Sequence, residues 1–123
     1  MSKIRPPELE EQLSGSDRPT VLDIRPRKDY QREHIDGSRN VAVYGDLRSG
    51  NTDALRKKLD NVPSDRDVVT VCKAGVVAKK ATKVLEEEGY DAQTLAGGMR
   101  GWNGYQNGTI GYRLSSAVRS LLP

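Results

Sequence analysis

The sequence predicts an α/β domain with a mainly parallel central sheet flanked by helices, and three observations predict it. Short β-branched runs such as Thr20-Val21-Leu22-Asp23-Ile24 alternate with segments of helical spacing, the pattern of strand, crossover and parallel strand. The run Asp67-Val68-Val69-Thr70-Val71-Cys72 is apolar almost throughout, as a central strand covered on both faces must be. A chain of 123 residues supports one core and is too short for two.

Taken in order, Pro6 and Pro7 open a helical turn or two over Glu8 to Leu13, since proline is tolerated at a first helical position. Ser14 to Pro19 breaks it. Thr20 to Ile24 reads as a buried strand that ends where Arg25-Pro26 turns the chain away. Pro26 to His34 is polar and helix-compatible and closes at Asp36-Gly37; Ser38 to Val43 is a second short strand. Asp53 to Leu59 has helical spacing with Asp53 as its cap. Asp67 to Cys72 is the clearest strand. From Ala78 to Glu88, Ala78, Ala81, Val84 and Leu85 recur on one helical face, and Gly89 stops the helix. Tyr90 to Leu95 is a further strand, followed by Ala96-Gly97-Gly98 and a short helical segment through Trp102, which reads as core. Leu114, Ala117, Val118, Leu121 and Leu122 share one face of a terminal helix that docks on the core or binds a partner. The expected organisation is one domain over 1–123, with a core at about 7–104 and a helical tail at about 109–123.

Composition narrows the function classes. The 20 basic residues are interleaved with 17 acidic ones, so the net charge of +3 describes a solvated mixed surface rather than a nucleic-acid footprint. No apolar run reaches the roughly 18 residues that span a bilayer, and Met1 to Pro7 has no signal-peptide character. A soluble protein of the reducing cytoplasm is expected. One cysteine cannot form an internal disulfide, and one histidine beside it provides no structural metal site.

That cysteine, Cys72, carries the chemistry. It stands where the central strand ends and a helix begins, the place where sites lie in open α/β sheets. Across Cys72-Lys73-Ala74-Gly75-Val76-Val77-Ala78 several backbone N–H groups lack intrahelical partners, and Gly75 can adopt positive φ and curl the loop into a nest of amides. The nest, the helix dipole and Lys73, Lys79 and Lys80 favour thiolate over thiol. The competing reading is a buried structural cysteine; the strand-to-helix junction and the lysines that follow argue against it. His34, beside Ile35 and the Gly37 turn, reads as a structural hydrogen-bonding residue rather than a base for the thiol. Asp23 and Arg25 read as an ion pair that locks the strand end.

The chain resembles the rhodanese family of sulfurtransferases over roughly Pro7 to Gly104. Val21-Leu22-Asp23-Ile24-Arg25 is similar to the family's first core strand with its Asp-x-Arg ending, and His34-Ile35-Asp36-Gly37-Ser38 to its His-Ile-x-Gly-Ala segment. Cys72 to Ala78 resembles the active-site loop, and Gly97-Gly98-Met99-Arg100-Gly101-Trp102 the Gly-Gly-x-x-x-Trp ending. The resemblance implies a three-layer fold and a reaction in which Cys72 attacks the outer sulfur of a donor such as thiosulfate. The persulfide so formed, bound by the loop Lys73, Ala74, Gly75, Val76, Val77 and Ala78, passes its sulfur to cyanide, a thiol or a protein acceptor. No metal or organic cofactor is implied.

The sequence departs from the family in one place that matters. Many active members carry arginine two residues after the loop glycine, and here that residue is Val77. Lys73 compensates in part, supplying charge without the bidentate geometry that arginine offers a sulfonate. Weak thiosulfate turnover is expected, with a protein persulfide or another sulfane-sulfur compound as the natural donor. Cysteine-dependent phosphatases that share the fold need arginine six residues after the cysteine, where this chain has Ala78. The alternative from another class is a rhodanese-like interaction or sulfur-carrier module that has kept its fold without turnover.

Overall fold

A computed structural model describes residues 2–108; the helix expected over Leu114 to Leu122 lies outside the described residues. Five strands, β1 (Lys3–Ile4), β2 (Thr20–Asp23), β3 (Arg39–Asn40), β4 (Val68–Val71) and β5 (Ala92–Leu95), form one sheet in the order β1-β5-β4-β2-β3. Every pairing is parallel. The helices are α1 (Pro6–Leu13), α2 (Arg27–Arg32), α3 (Tyr44–Arg48), α4 (Asp53–Arg56), α5 (Ala78–Glu87) and α6 (98–108).

The apolar runs segregate into two cores, one on each face of the sheet, as a parallel sheet requires. Leu22, Ile24 and Val68 pack on the face covered by Leu47 of α3, Leu55 of α4 and Ala81, Val84 and Leu85 of α5. Val21, Val69, Val71 and Leu95 pack on the other, against Leu9 of α1 and Met99 of α6. The result is the helix–sheet–helix sandwich that the sequence predicts. Trp102 is half-buried against this second core rather than enclosed in it.

Several boundaries differ from the expectations, each for a physical reason. The strand expected over Ser38 to Val43 pairs only at Arg39–Asn40, because the Val43 N–H turns back to the Val41 carbonyl and leads directly into α3. Gly45 and Asp46, poor interior helix formers, hide α3 in the sequence. Thr52, not Asp53, is the cap position of α4; Asp53 lies in the first turn, where its charge suits the positive end of the helix. That helix stops at Arg56 and gives way to a 3-10 turn at Leu59–Asn61. The strand β1, too short to show period two, is fixed by the register of Ile4 opposite Leu95.

Candidate functional site

The chain leaves β2 toward β3 on one side of the sheet and leaves β4 toward β5 on the other. Adjacent β2 and β4 therefore flank a topological switch point, and the crevice outside their carboxyl ends is where such sheets bind ligands. Arg25 follows β2 there, and Cys72 and Lys73 follow β4.

The loop after β4 curls because Gly75 adopts φ +83°, a conformation open to glycine and strained for other residues. The curl brings the Gly75 N–H to 3.1 Å and the Ala78 N–H to 3.4 Å from Cys72 Sγ, both donating to the sulfur. Two N–H groups converging on one sulfur stabilise negative charge there. Of the other loop residues, Lys73, Ala74 and Val76 are exposed, whereas Gly75, Val77 and Ala78 are buried. Cys72 itself is 2% exposed. It lies under the loop and packs with the α5-side core, so the thiol at this strand-to-helix junction is covered rather than open to solvent. Val77, at the arginine position, is 8% exposed and packs into that same core.

Two supports hold the loop. Behind it, Met99 N–H donates to the Cys72 carbonyl at 2.8 Å and Arg100 N–H to the Lys73 carbonyl at 3.0 Å. This approach requires Gly98, whose φ is +58° and where a Cβ would sit 2.3 Å from the Cys72 carbonyl oxygen. Beneath it, three buried hydroxyls form a line across β4, α5 and β5. Thr94 and Thr82 lie 2.6 Å apart, Thr82 and Thr70 2.8 Å, and Thr70 Oγ1 donates to the Ala78 carbonyl at 3.1 Å. With the Thr70 proton on that carbonyl, the direction that satisfies the line is Thr82 donating to Thr70 and Thr94 to Thr82. The line ties the first residue of α5, whose N–H meets the sulfur, to the strand that carries Cys72. The sequence signal for it is Thr70, the polar interruption of an otherwise apolar strand.

Beside the loop lies a cleft of about 340 Å³ lined by Arg25, Pro26, Asp29, Arg32, Glu33, Tyr44, Lys73, Met99, Arg100 and Asn103. Arg25 is buried and meets both carboxylate oxygens of Asp23, Nη2 to Oδ2 at 2.8 Å and Nε to Oδ1 at 3.0 Å. Its Nη2 also donates to the Glu33 carbonyl at 2.7 Å. Burial disfavours the charged guanidinium, but the hydrogen bonds and charge of Asp23, aided by Asp29 and Glu33, outweigh it and raise the pKa above its ordinary value. The pair locks the end of β2. Arg100, which the sequence reading placed only within the glycine-rich ending, shares the cleft with Lys73. His34 does not line it; its Nδ1 lies 2.8 Å from the Tyr30 carbonyl and its ring stacks on that of Tyr30 at 4.0 Å, the structural role read from the sequence.

Fold and site together define a parallel α/β domain with a cysteine sulfur held under loop amides at its switch point. Residues 5–105 match the rhodanese-like domain family, and the chain belongs to that family. It is 30% identical over 84 residues to the thiosulfate sulfurtransferase GlpE of Shewanella oneidensis, covering 68% of this chain and 74% of that protein. A rhodanese-like domain protein from Staphylococcus aureus superposes with a TM-score of 0.70 at 24% identity over 83% of this chain and 91% of that one, a likeness of fold. The chain also matches part of a longer protein, the HTH-type transcriptional regulator Rv0324 of Mycobacterium tuberculosis. There it is 29% identical over 85 residues, 68% of this chain, and spans about a third (34%) of that protein. Sulfur transfer is the activity these similarities support at the level of the family. Among the described residues no helix is long and apolar enough to cross a membrane.

Proposed function

We propose that the protein is a sulfurtransferase that moves sulfane sulfur from thiosulfate or another donor to a nucleophilic acceptor through a persulfide on Cys72. The observation that carries this reading is the pair of N–H groups, from Gly75 and Ala78, aimed at Cys72 Sγ. The thiolate attacks the outer sulfur of the donor, the donor's own bond to that sulfur breaks, and the remainder leaves with the electron pair, as sulfite from thiosulfate. The acceptor then attacks the outer sulfur of the persulfide and Cys72 departs as thiolate. The loop amides hold the charge of the thiolate before the first step and receive it again as Cys72 departs in the second, as an oxyanion hole receives charge on oxygen. Lys73, Ala74, Gly75, Val76, Val77 and Ala78 form the walls of the persulfide site.

The donor follows from what those walls lack. With Val77 turned into the core, the loop offers a sulfonate group only the flexible Lys73, which lacks the guanidinium fork; the cleft's arginines stand off the loop, Arg25 beside Asp23, Arg32 beside Asp29, and Arg100 on α6. Polysulfide and protein persulfides, which need no sulfonate clamp, are the better donors. Acceptors are thiols in a reducing cytoplasm, with cyanide as the test-tube substitute.

Turnover with cyanide tests this. Polysulfide is expected to be turned over at least about 10-fold faster than thiosulfate, and Cys72→Ser to lower both rates by roughly a thousandfold or more. Undiminished turnover in Cys72→Ser would remove the cysteine from the mechanism. The burial of Cys72 favours a second reading, a rhodanese-like interaction module without turnover; it predicts no thiocyanate from any donor.

A further inference from the structure

Resting on the persulfide reading, the surface around the loop identifies the class of acceptor. Val76 is 67% exposed, the one large apolar side chain left in solvent among the described residues, and it stands on the loop that covers the sulfur. Lys73 stands on the same loop, Lys79 in the first turn of α5 donates its N–H to the Val76 carbonyl, and Arg100 at the start of α6 donates its N–H to the Lys73 carbonyl; all three cations are exposed. None of these three cations forms an ion pair with an acid among the described residues. The acids nearby are engaged elsewhere: Asp23 holds Arg25, Asp29 lies 3.7 Å from Arg32, and Glu33 Oε1 accepts from Asn103 at 2.8 Å. Unpaired charge of one sign around an apolar contact is the mark of a surface awaiting a complementary macromolecule. A small inorganic anion would use the cations and have no use for Val76.

We propose that the sulfur acceptor is a cysteine thiol in an acidic protein segment, docked with its carboxylates on Lys73, Lys79 and Arg100 and an apolar side chain on Val76. In the transfer step the acceptor thiolate attacks the outer sulfur of the Cys72 persulfide and forms a new S–S bond. The bond between the two persulfide sulfurs breaks, its electron pair stays on Cys72 Sγ, and the Gly75 and Ala78 N–H groups receive that charge. The proton on the outer sulfur travels with it, so no oxidant or reductant is consumed.

The experiment charges wild-type protein with polysulfide, removes the excess, and mixes it with either of two short peptides. One carries a cysteine flanked by glutamates and a leucine, the other a cysteine flanked by lysines and a leucine. Sulfur gained by each peptide is followed by mass spectrometry, and each rate is divided by that of the same peptide with the persulfide of N-acetylcysteine methyl ester, which corrects for thiol acidity. The glutamate peptide is expected to be favoured by about 10-fold at low salt, with the preference shrinking as salt is raised. The double variant Lys73→Glu, Arg100→Glu is expected to reverse the preference, and Val76→Ser to slow both peptides. Equal corrected rates in the wild type would overturn the proposal and leave the persulfide reading standing. No persulfide on charging would sink that reading instead.

Discussion

Gly98 meets the backbone of the cysteine loop so closely that a single methyl group cannot be accommodated. Its φ of +58° disfavours any side chain, and an added Cβ would lie 2.3 Å from the Cys72 carbonyl oxygen and 2.8 Å from the Ala74 nitrogen, both backbone atoms that cannot rotate aside. Gly98→Ala is expected to cost at least about 2 kcal/mol of stability in chemical denaturation, and to slow sulfur transfer because the loop must move. Asp23 makes a different demand. Its carboxylate is the counter-charge of a buried guanidinium, so Asp23→Asn leaves Arg25 uncompensated at a cost of about 3 kcal/mol, read in the same denaturation experiment. The order of Cys72, Gly75, Gly97 and Gly98 was legible in the sequence because cysteine and glycine carry their constraints in their own chemistry. The inward turn of Val77 and the depth of Cys72 were not, since the loop's curl decides them, and Arg100 reached the cleft through the fold of α6 rather than through any local pattern.

At the level of elements, α5 and β4 are joined by more than apolar packing. The line Thr94, Thr82, Thr70 ends on the Ala78 carbonyl, and the same residue's N–H reaches the sulfur. Thr70→Val keeps the shape and removes the line, at a cost of about 1–2 kcal/mol. Because the helix start then loses its tie to β4, Thr70→Val is expected to slow the loading of Cys72 by polysulfide at fixed pH, and Thr70→Ser should restore the wild-type rate. A variant that melts earlier with an unchanged loading rate would show the line to be structural only. The strong elements here, β4 and α5, were read to within a residue because burial on both faces and a 3.6-residue stripe leave no alternative. The weak ones, β1, β3 and α3, were missed or misjudged: each is five residues or fewer, and its form comes from neighbours in the sheet and not from its own sequence.

Across the whole molecule, the parallel sheet places the carboxyl ends of β2, β4 and β5 at one edge, so Arg25, the cysteine loop and the Gly97-Gly98 turn meet although they are far apart in the chain. One face of the sheet supplies the core against which Cys72 and Val77 pack, and the other supplies Met99, whose backbone supports the loop. The fold thereby fixes a thiol beneath two amides, turns Val77 inward and leaves Lys73 and Val76 of the loop outside. Sulfur transfer by this chain requires Cys72 to hold a sulfur atom, and intact mass spectrometry after brief exposure to polysulfide tests that directly. Wild-type protein should gain about 32 Da, one sulfur atom, removable by thiol, and Cys72→Ser should gain nothing; an unchanged wild-type mass, or the same gain in Cys72→Ser, would contradict the account.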